Sequence, residues 1–323
     1  MKSLFKKLLA TVLGAIAFSS SAMAAEPLKI GYSDWPGCVA WEIANEKQWF
    51  KEAGVDVTFE WFDYVASMDA YAAGKLDGVG MTNGDALVTG STGAKSVMIL
   101  MNDYSNGNDM VIGKPGINSV KDLKGKKIGV EVGFDGPPLA LTAPQNNGMT
   151  EAAAARHPVP PKATPPVRAS GDVEASVAWQ PSSGQALNLV PGSKAIYTSA
   201  DEPGLIYDLL AVSPESLASR RDEWKKVIDV WYRAVAYLKD PKTADDAVKI
   251  MAARVGLSPE EYKPFLKGTN ILTREEANKF MVKGEGFKSI YGSSKISDDF
   301  NVANKVYAKP EVIEDYIDGS LMK

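Results

Sequence analysis

The chain has 323 residues, with 36 Lys+Arg against 40 Asp+Glu, a net charge of −4 and 45% apolar content. That balance fits a folded protein of one large or two mid-sized domains and excludes disorder for most of its length. With one cysteine, Cys38, and one histidine, His157, it can form no internal disulfide and no Cys/His zinc cluster, and a serine-type triad would have to use that histidine.

No cluster of Lys and Arg marks a phosphate-binding face, so no nucleic-acid partner is expected. At the N-terminus, Lys2, Lys6 and Lys7 precede the apolar run Leu8 to Phe18 and the small residues ending Ala22-Met23-Ala24. This is the order of a secretory signal peptide, and the run is well short of the roughly 20 residues that span a bilayer. Cleavage after Ala24 is therefore expected, delivering residues 25–323 to a periplasm. Near absence of cysteine suits that oxidising space.

Leu28 to Tyr32 reads as a short strand ending in the loop Ser33-Asp34-Trp35-Pro36-Gly37. A helix over Val39 to Phe50, a strand over Val55 to Phe62, a helix over Ser67 to Ala73 and a buried strand over Gly78 to Met81 follow. Thr82-Asn83-Gly84-Asp85 then opens another helix with capping chemistry. This alternation predicts a mainly parallel sheet with helices on both faces.

The second part repeats the plan. Lys29-Ile30-Gly31 recurs as Lys127-Ile128-Gly129, and Ala73-Gly74-Lys75-Leu76-Asp77 recurs in kind as Ser170-Gly171-Asp172-Val173-Glu174. The near-equal offsets in matching order predict two similar lobes, with crossings at Asn108 to Gly113 and Gly204 to Val212. Ligands bind beyond the carboxyl ends of such strands, so a cleft is expected between Asp34-Trp35, Asn83-Asp85, Phe134-Asp135 and Trp179-Gln180. From Ser213 onward the sequence reads as helix, with Trp224, Val227, Ile228, Trp231, Val235 and Leu238 on one stripe and capping boxes at Ser258-Pro259-Glu260-Glu261 and Thr273-Arg274-Glu275-Glu276.

These residues resemble the type II periplasmic solute-binding proteins of ABC importers, in the nitrate/taurine/sulfonate group. Lys29 to Asp56, with its Trp-Pro-Gly loop and Phe50-Lys51-Glu52-Ala53-Gly54-Val55, is similar to that group's N-terminal signature, and Ala73 to Asp77 to its second block. Thr82 to Leu87, Asn102 to Asp109 and Ala178-Trp179-Gln180-Pro181 are similar to the branch associated with urea carboxylase. The resemblance implies an α/β, two-lobed fold with two hinge strands and a helical C-terminal part. Its domains would be a signal peptide at 1–24, lobe I at 25–110 and 205–323, and lobe II at 111–204. It also implies a monomer that captures a small solute and delivers it to the transmembrane subunits of a permease, with no catalysis, metal or cofactor.

One segment departs from the resemblance. Between Pro137 and Pro166 lie eight of the chain's 19 prolines, where the family has helix, strand and helix. Proline inside a helix costs about 3 kcal/mol, so these elements are not expected to form. Replacement of 135–146 and 152–168 at constant length, by compensated frameshifts or deliberate alteration, would produce such a stretch.

The candidate ligand-binding residues are Asp34, Trp35, Trp41, Asn83, Asp85, Asp109, Phe134 and Trp179. Asp103 and Glu42 add carboxylates, and no Lys or Arg lies in the cleft loops up to Asp109. Carboxylates accept N–H groups and tryptophan faces stack on a planar cation, so a urea-like or guanidine-like solute is expected. Helix N-termini can also hold anions, which keeps nitrate, taurine or an alkylsulfonate as the alternative. An enzyme on the same fold, similar to a pyrimidine-precursor synthase, is the second alternative. Cys38 reads as a packing residue and His157 as incidental.

Overall fold

The computed structural model describes residues 26–131, 139–149, 155–159 and 161–323. The expected signal peptide and Phe134 lie outside them. The described chain forms two sheets. The first contains β1 (Leu28–Tyr32), β2 (Val57–Trp61), β3 (Gly78–Thr82) and β4 (Val97–Ser105). After Ser105 the chain leaves for the second sheet, which holds β5 (Met110–Gly113), β6 (Lys127–Val130), β7 (Ala155–Pro158), β8 (Ala175–Ala178) and β9 (Lys194–Thr198). It returns through β10 (Tyr207–Val212) and later adds β11 (Thr269–Ile271).

The spatial orders are β11-β4-β10-β3-β1-β2 and β7-β6-β8-β5-β9. In each lobe one triplet is parallel, β2-β1-β3 and β7-β6-β8, as the β-α-β pattern requires. The sheets are nonetheless mixed rather than mainly parallel. Strands that come from the other lobe enter from the opposite end, so β10 runs antiparallel to β3 and β4, and β5 antiparallel to β8 and β9.

The internal repeat reaches atomic detail. Gly74 and Gly171 end matching helices with φ of 70° and 95°, a left-handed geometry that glycine adopts without steric cost. Three residues later Asp77 Oδ2 accepts the Lys29 N–H at 2.9 Å, and Glu174 Oε2 accepts the Lys127 N–H at 3.0 Å. An acidic residue thus ties the start of β3 to β1, and its counterpart ties β8 to β6.

The expected helix over Val39 to Phe50 is broken into Pro36–Val39, Trp41–Glu46 and Trp49–Glu52, with Gln48 at φ 58°. The helix Arg221–Lys239 buries the whole predicted Trp224-to-Leu238 stripe against lobe I. Both predicted capping boxes are present, at Ser258 with Glu261 and at Thr273 with Glu276.

The proline-rich stretch is a correction. The helix Leu139–Asn146, β7 and the helix Thr164–Ser170 are all formed. Pro165 and Pro166 fall in a first helical turn, where no backbone donor has an intrahelical partner to lose. Pro158 ends an edge strand, the one place in a sheet that tolerates proline. Among the described prolines of this stretch, Pro144 lies inside an α-helix past its first turn, where it removes a bond to the preceding turn. Amides of 139–149 and 155–159 are therefore expected to exchange with deuterium faster than those of β1 and β3, as belongs to low local stability. Equal protection in native-state exchange would refute this.

Candidate functional site

The loop after β1 and the ends of β3, β4, β8 and β10 converge between the lobes. Tyr32, Trp35, Cys38 and Trp179 form one buried aromatic cluster, with Phe59, Trp61 and Tyr64 packed on it. Trp35 belongs to lobe I and Trp179 to lobe II, and both are under a tenth exposed. The Trp179 ring meets Tyr64 of lobe I edge-on at 5.6 Å between centroids.

Carboxyl groups surround this cluster. Trp35 Nε1–H donates to Asp103 Oδ1 at 2.9 Å, and Asp103 lies opposite Asp208 in the register of β4 and β10. Tyr64 O–H donates to Asp85 Oδ2 at 2.5 Å, and Thr82 Oγ1–H to the same oxygen at 2.8 Å. Thr82 also caps its helix by accepting the Asp85 N–H at 3.1 Å. Asp109, buried at the start of the first crossing, donates its backbone N–H to Ser105 Oγ at 3.3 Å. Glu131, directly after β6, brings a lobe II carboxyl toward Asp85, Asp34 and Asp63.

Burial dominates the electrostatics. It pushes the Asp109 carboxyl up to about 6, and pushes Glu131 up to about 8 with further repulsion from Asp85, Asp34 and Asp63. Asp103 and Asp208 are both raised by burial and face each other, so ionising one opposes ionising the other. Asp34 is raised by burial and partly relieved by Lys162. That lysine, from the proline-rich stretch, pairs with Asp63 across the rim of the cleft.

The predicted residues other than Phe134, which lies outside the described residues, can now be placed. Trp35 and Trp179 share the aromatic cluster, and Asp34, Asp85 and Asp109 stand among the carboxyls around it. Trp41 does not join them: its ring packs 4.4 Å from Trp231 and against Phe50 and Phe59 in the lobe I core, because the helix break rotates it inward. Asn83 is buried and committed to the scaffold, donating to Ser293 Oγ at 3.1 Å and accepting the Tyr207 N–H at 3.2 Å. Glu42 is no free acceptor either, since it is bonded to Tyr32 and paired with Arg254 at 3.1 Å. Cys38 is buried with its thiol pushed up by burial and by Asp208, Asp103 and Asp34, the opposite of an activated thiolate.

Tyr64, Glu131 and Asp208 escaped the sequence reading. For Asp208 a signal existed: a lone acid in the otherwise apolar run Tyr207-Asp208-Leu209-Leu210-Ala211-Val212, all buried in β10.

Two mixed sheets joined by two crossings, with an aromatic and polar cleft between them, define the two-lobed fold of periplasmic binding proteins. The chain belongs to the NMT1-like family, whose model matches residues 21–252. Proteins of Brucella abortus and Brucella suis, each described as a candidate binding protein, are 31% identical over 191 residues. Those matches span 58% of this chain and 59% of the relatives' length. The periplasmic aliphatic sulphonate binding protein SsuA of Escherichia coli superposes with a TM-score of 0.76 at 18% identity, over 91% of this chain and 98% of that one. The alkanesulfonate-binding SsuA of Xanthomonas axonopodis pv. citri, bound to MOPS, gives 0.72 at 17% identity, over 92% and 100%. The desulfurization enzyme DszB, with biphenyl-2-sulfinic acid bound, gives 0.63 at 14% identity, over 92% and 97%.

Proposed function

We propose that this chain is the solute-capturing component of an ABC importer, working in the periplasm and handing a small ligand to the permease subunits. Its membership of the NMT1-like family and its likeness to the SsuA fold support this reading. Within it, the ligand is a small, planar nitrogen compound of the guanidine or urea type, such as an importer from the branch associated with urea carboxylase would carry. One observation carries that choice: Asp34, Asp85, Asp103, Asp109, Asp208 and Glu131 gather around Trp35, Trp179 and Tyr64. Lys162 at the rim partly offsets Asp34, and Arg254, which lies over Tyr32 and Trp61, is paired with Glu42. Carboxylates accept N–H donors, and aromatic faces attract a planar cation.

The SsuA neighbours favour a second reading, a sulfonate anion, which the same carboxyls would repel. An enzyme on this fold that used Cys38 as a nucleophile is disfavoured by the burial of that thiol and the carboxyls that raise it. Calorimetry with guanidinium, urea, taurine and nitrate separates these. Guanidinium and urea are expected to bind, and heat only from taurine or nitrate would overturn the assignment. Asp109→Asn is expected to weaken guanidinium more than urea, since hydrogen bonds to ions are worth roughly 1.5–3 kcal/mol against about 1 for neutral pairs. Trp179→Ala is expected to weaken both.

A further inference from the structure

A cationic ligand, the reading on which this inference rests, poses a problem of charge: six carboxyls cannot all stay ionised so close together and so deeply buried. Two of them are built into a specific arrangement. Asp103 on β4 and Asp208 on β10 are register partners on neighbouring antiparallel strands, one leading out of lobe I and the other leading back in. Asp103 is 0% exposed and Asp208 4%. Asp103 Oδ1 is held by the Trp35 indole N–H at 2.9 Å, while Oδ2 of Asp103 and Oδ2 of Asp208 receive no donor from any other described group. Glycine at position 37 lets the Asp103 carboxyl sit where it does, because a Cβ there would lie 1.7 Å from its Oδ2.

Among the described residues no cation faces this pair. The loop after β1 presents Asp34 and Cys38, the helix Asn83–Ser91 presents Asp85, and the first crossing presents Asp109. Tyr262 approaches from the helix Pro259–Lys267 and Tyr64 from the helix Tyr64–Ala72, both neutral phenols. Two opposed, desolvated carboxyls in such a place hold one proton between them.

We propose that Asp103 and Asp208 form a proton-holding pair that gives up its proton when a guanidinium-type cation enters, so that capture exchanges one cation for one proton. The O–H bond of the protonated partner breaks, the proton passes to solvent buffer and both groups become carboxylates. The positive charge lost from the cleft is the one the ligand brings. Trp35 couples the events, because the ring offered to the ligand is the same one whose N–H holds Asp103. A neutral ligand supplies no charge to replace the proton and leaves the pair protonated.

The test is calorimetry of the full mature protein with guanidinium chloride, in buffers of differing ionisation enthalpy, between pH 6 and 8. About one proton released per guanidinium is expected, with affinity rising up to about tenfold per pH unit while the pair is protonated. Urea is expected to release none. Asp208→Asn is expected to abolish this release, whatever its absolute affinity, and Glu131→Gln, which removes the other carboxyl raised into this range, to leave it in place. Asp103→Asn serves if Asp208→Asn does not fold, and the wild-type proton count stands without either. Guanidinium binding with no proton release and a flat pH profile overturns the exchange and leaves the ligand class intact. No binding of guanidinium at any pH overturns the ligand class and the exchange with it.

Discussion

The ligand-free protein is expected to melt at a higher temperature at pH 5.5 than at pH 8. A carboxyl whose folded-state value is raised binds more protons folded than unfolded, so stability falls as pH rises between the two values. Glu131 rises from its ordinary value of 4.5 to about 8, and Asp109 from 3.8 to about 6. The Asp103–Asp208 pair moves the same way. Each whole proton of difference gives a slope of about 1.4 kcal/mol per pH unit, which for a chain of this size is a shift of several degrees. The trend reverses in stronger acid. Glu223, held down by Arg220, and Glu261 and Glu276, held down by their capping bonds, contribute stability present above their unfolded values and lost as pH falls below them. Scanning calorimetry from pH 3 to 8.5 checks this, and a melting temperature flat or rising from 5.5 to 8 would contradict it.

The second large effect belongs to Arg168, on the helix Thr164–Ser170. It is 1% exposed, yet none of its partners among the described residues is a carboxylate. Its guanidinium donates to the Ile112 carbonyl at 2.7 Å, the Gly113 carbonyl at 3.3 Å and the Ser176 and Ser193 hydroxyls at 3.4 and 2.8 Å, while Nε has no acceptor. Burying a charge costs several kcal/mol, and here no opposite charge among the described residues offsets that cost. Arg168→Leu is therefore expected to raise the melting temperature by several degrees. A lower one would mean that the four hydrogen bonds outweigh the desolvation.

The repeated lobes were legible because their punctuation is local chemistry: Gly74 and Gly171 end helices, and Asp77 and Glu174 tie the next strand to the first. The capping boxes and the Trp224 stripe were legible for the same reason. The cleft was harder. Trp35, Asp85, Asp109 and Trp179 follow strand ends and crossings, positions a β-α reading can place. Trp41 was misplaced because one broken helical turn decides which way a ring faces. Asp208 depended on topology, since β10 meets Asp103 only once it is laid between β3 and β4. The prolines were overweighted, because their cost depends on whether they fall in a first turn, at an edge or mid-helix.

The insertion of β10 between β3 and β4 also sets an order of events for the emerging polypeptide. Sheet two is assembled from one uninterrupted stretch, whereas sheet one lacks a central member until Tyr207–Val212 arrives. Until then β3 and β4 present open edges separated by a missing strand, and the long-range pairing they await is slow. A chain that exits N-terminus first thus keeps its first sheet unfinished through roughly two thirds of its synthesis, while the second sheet can already close.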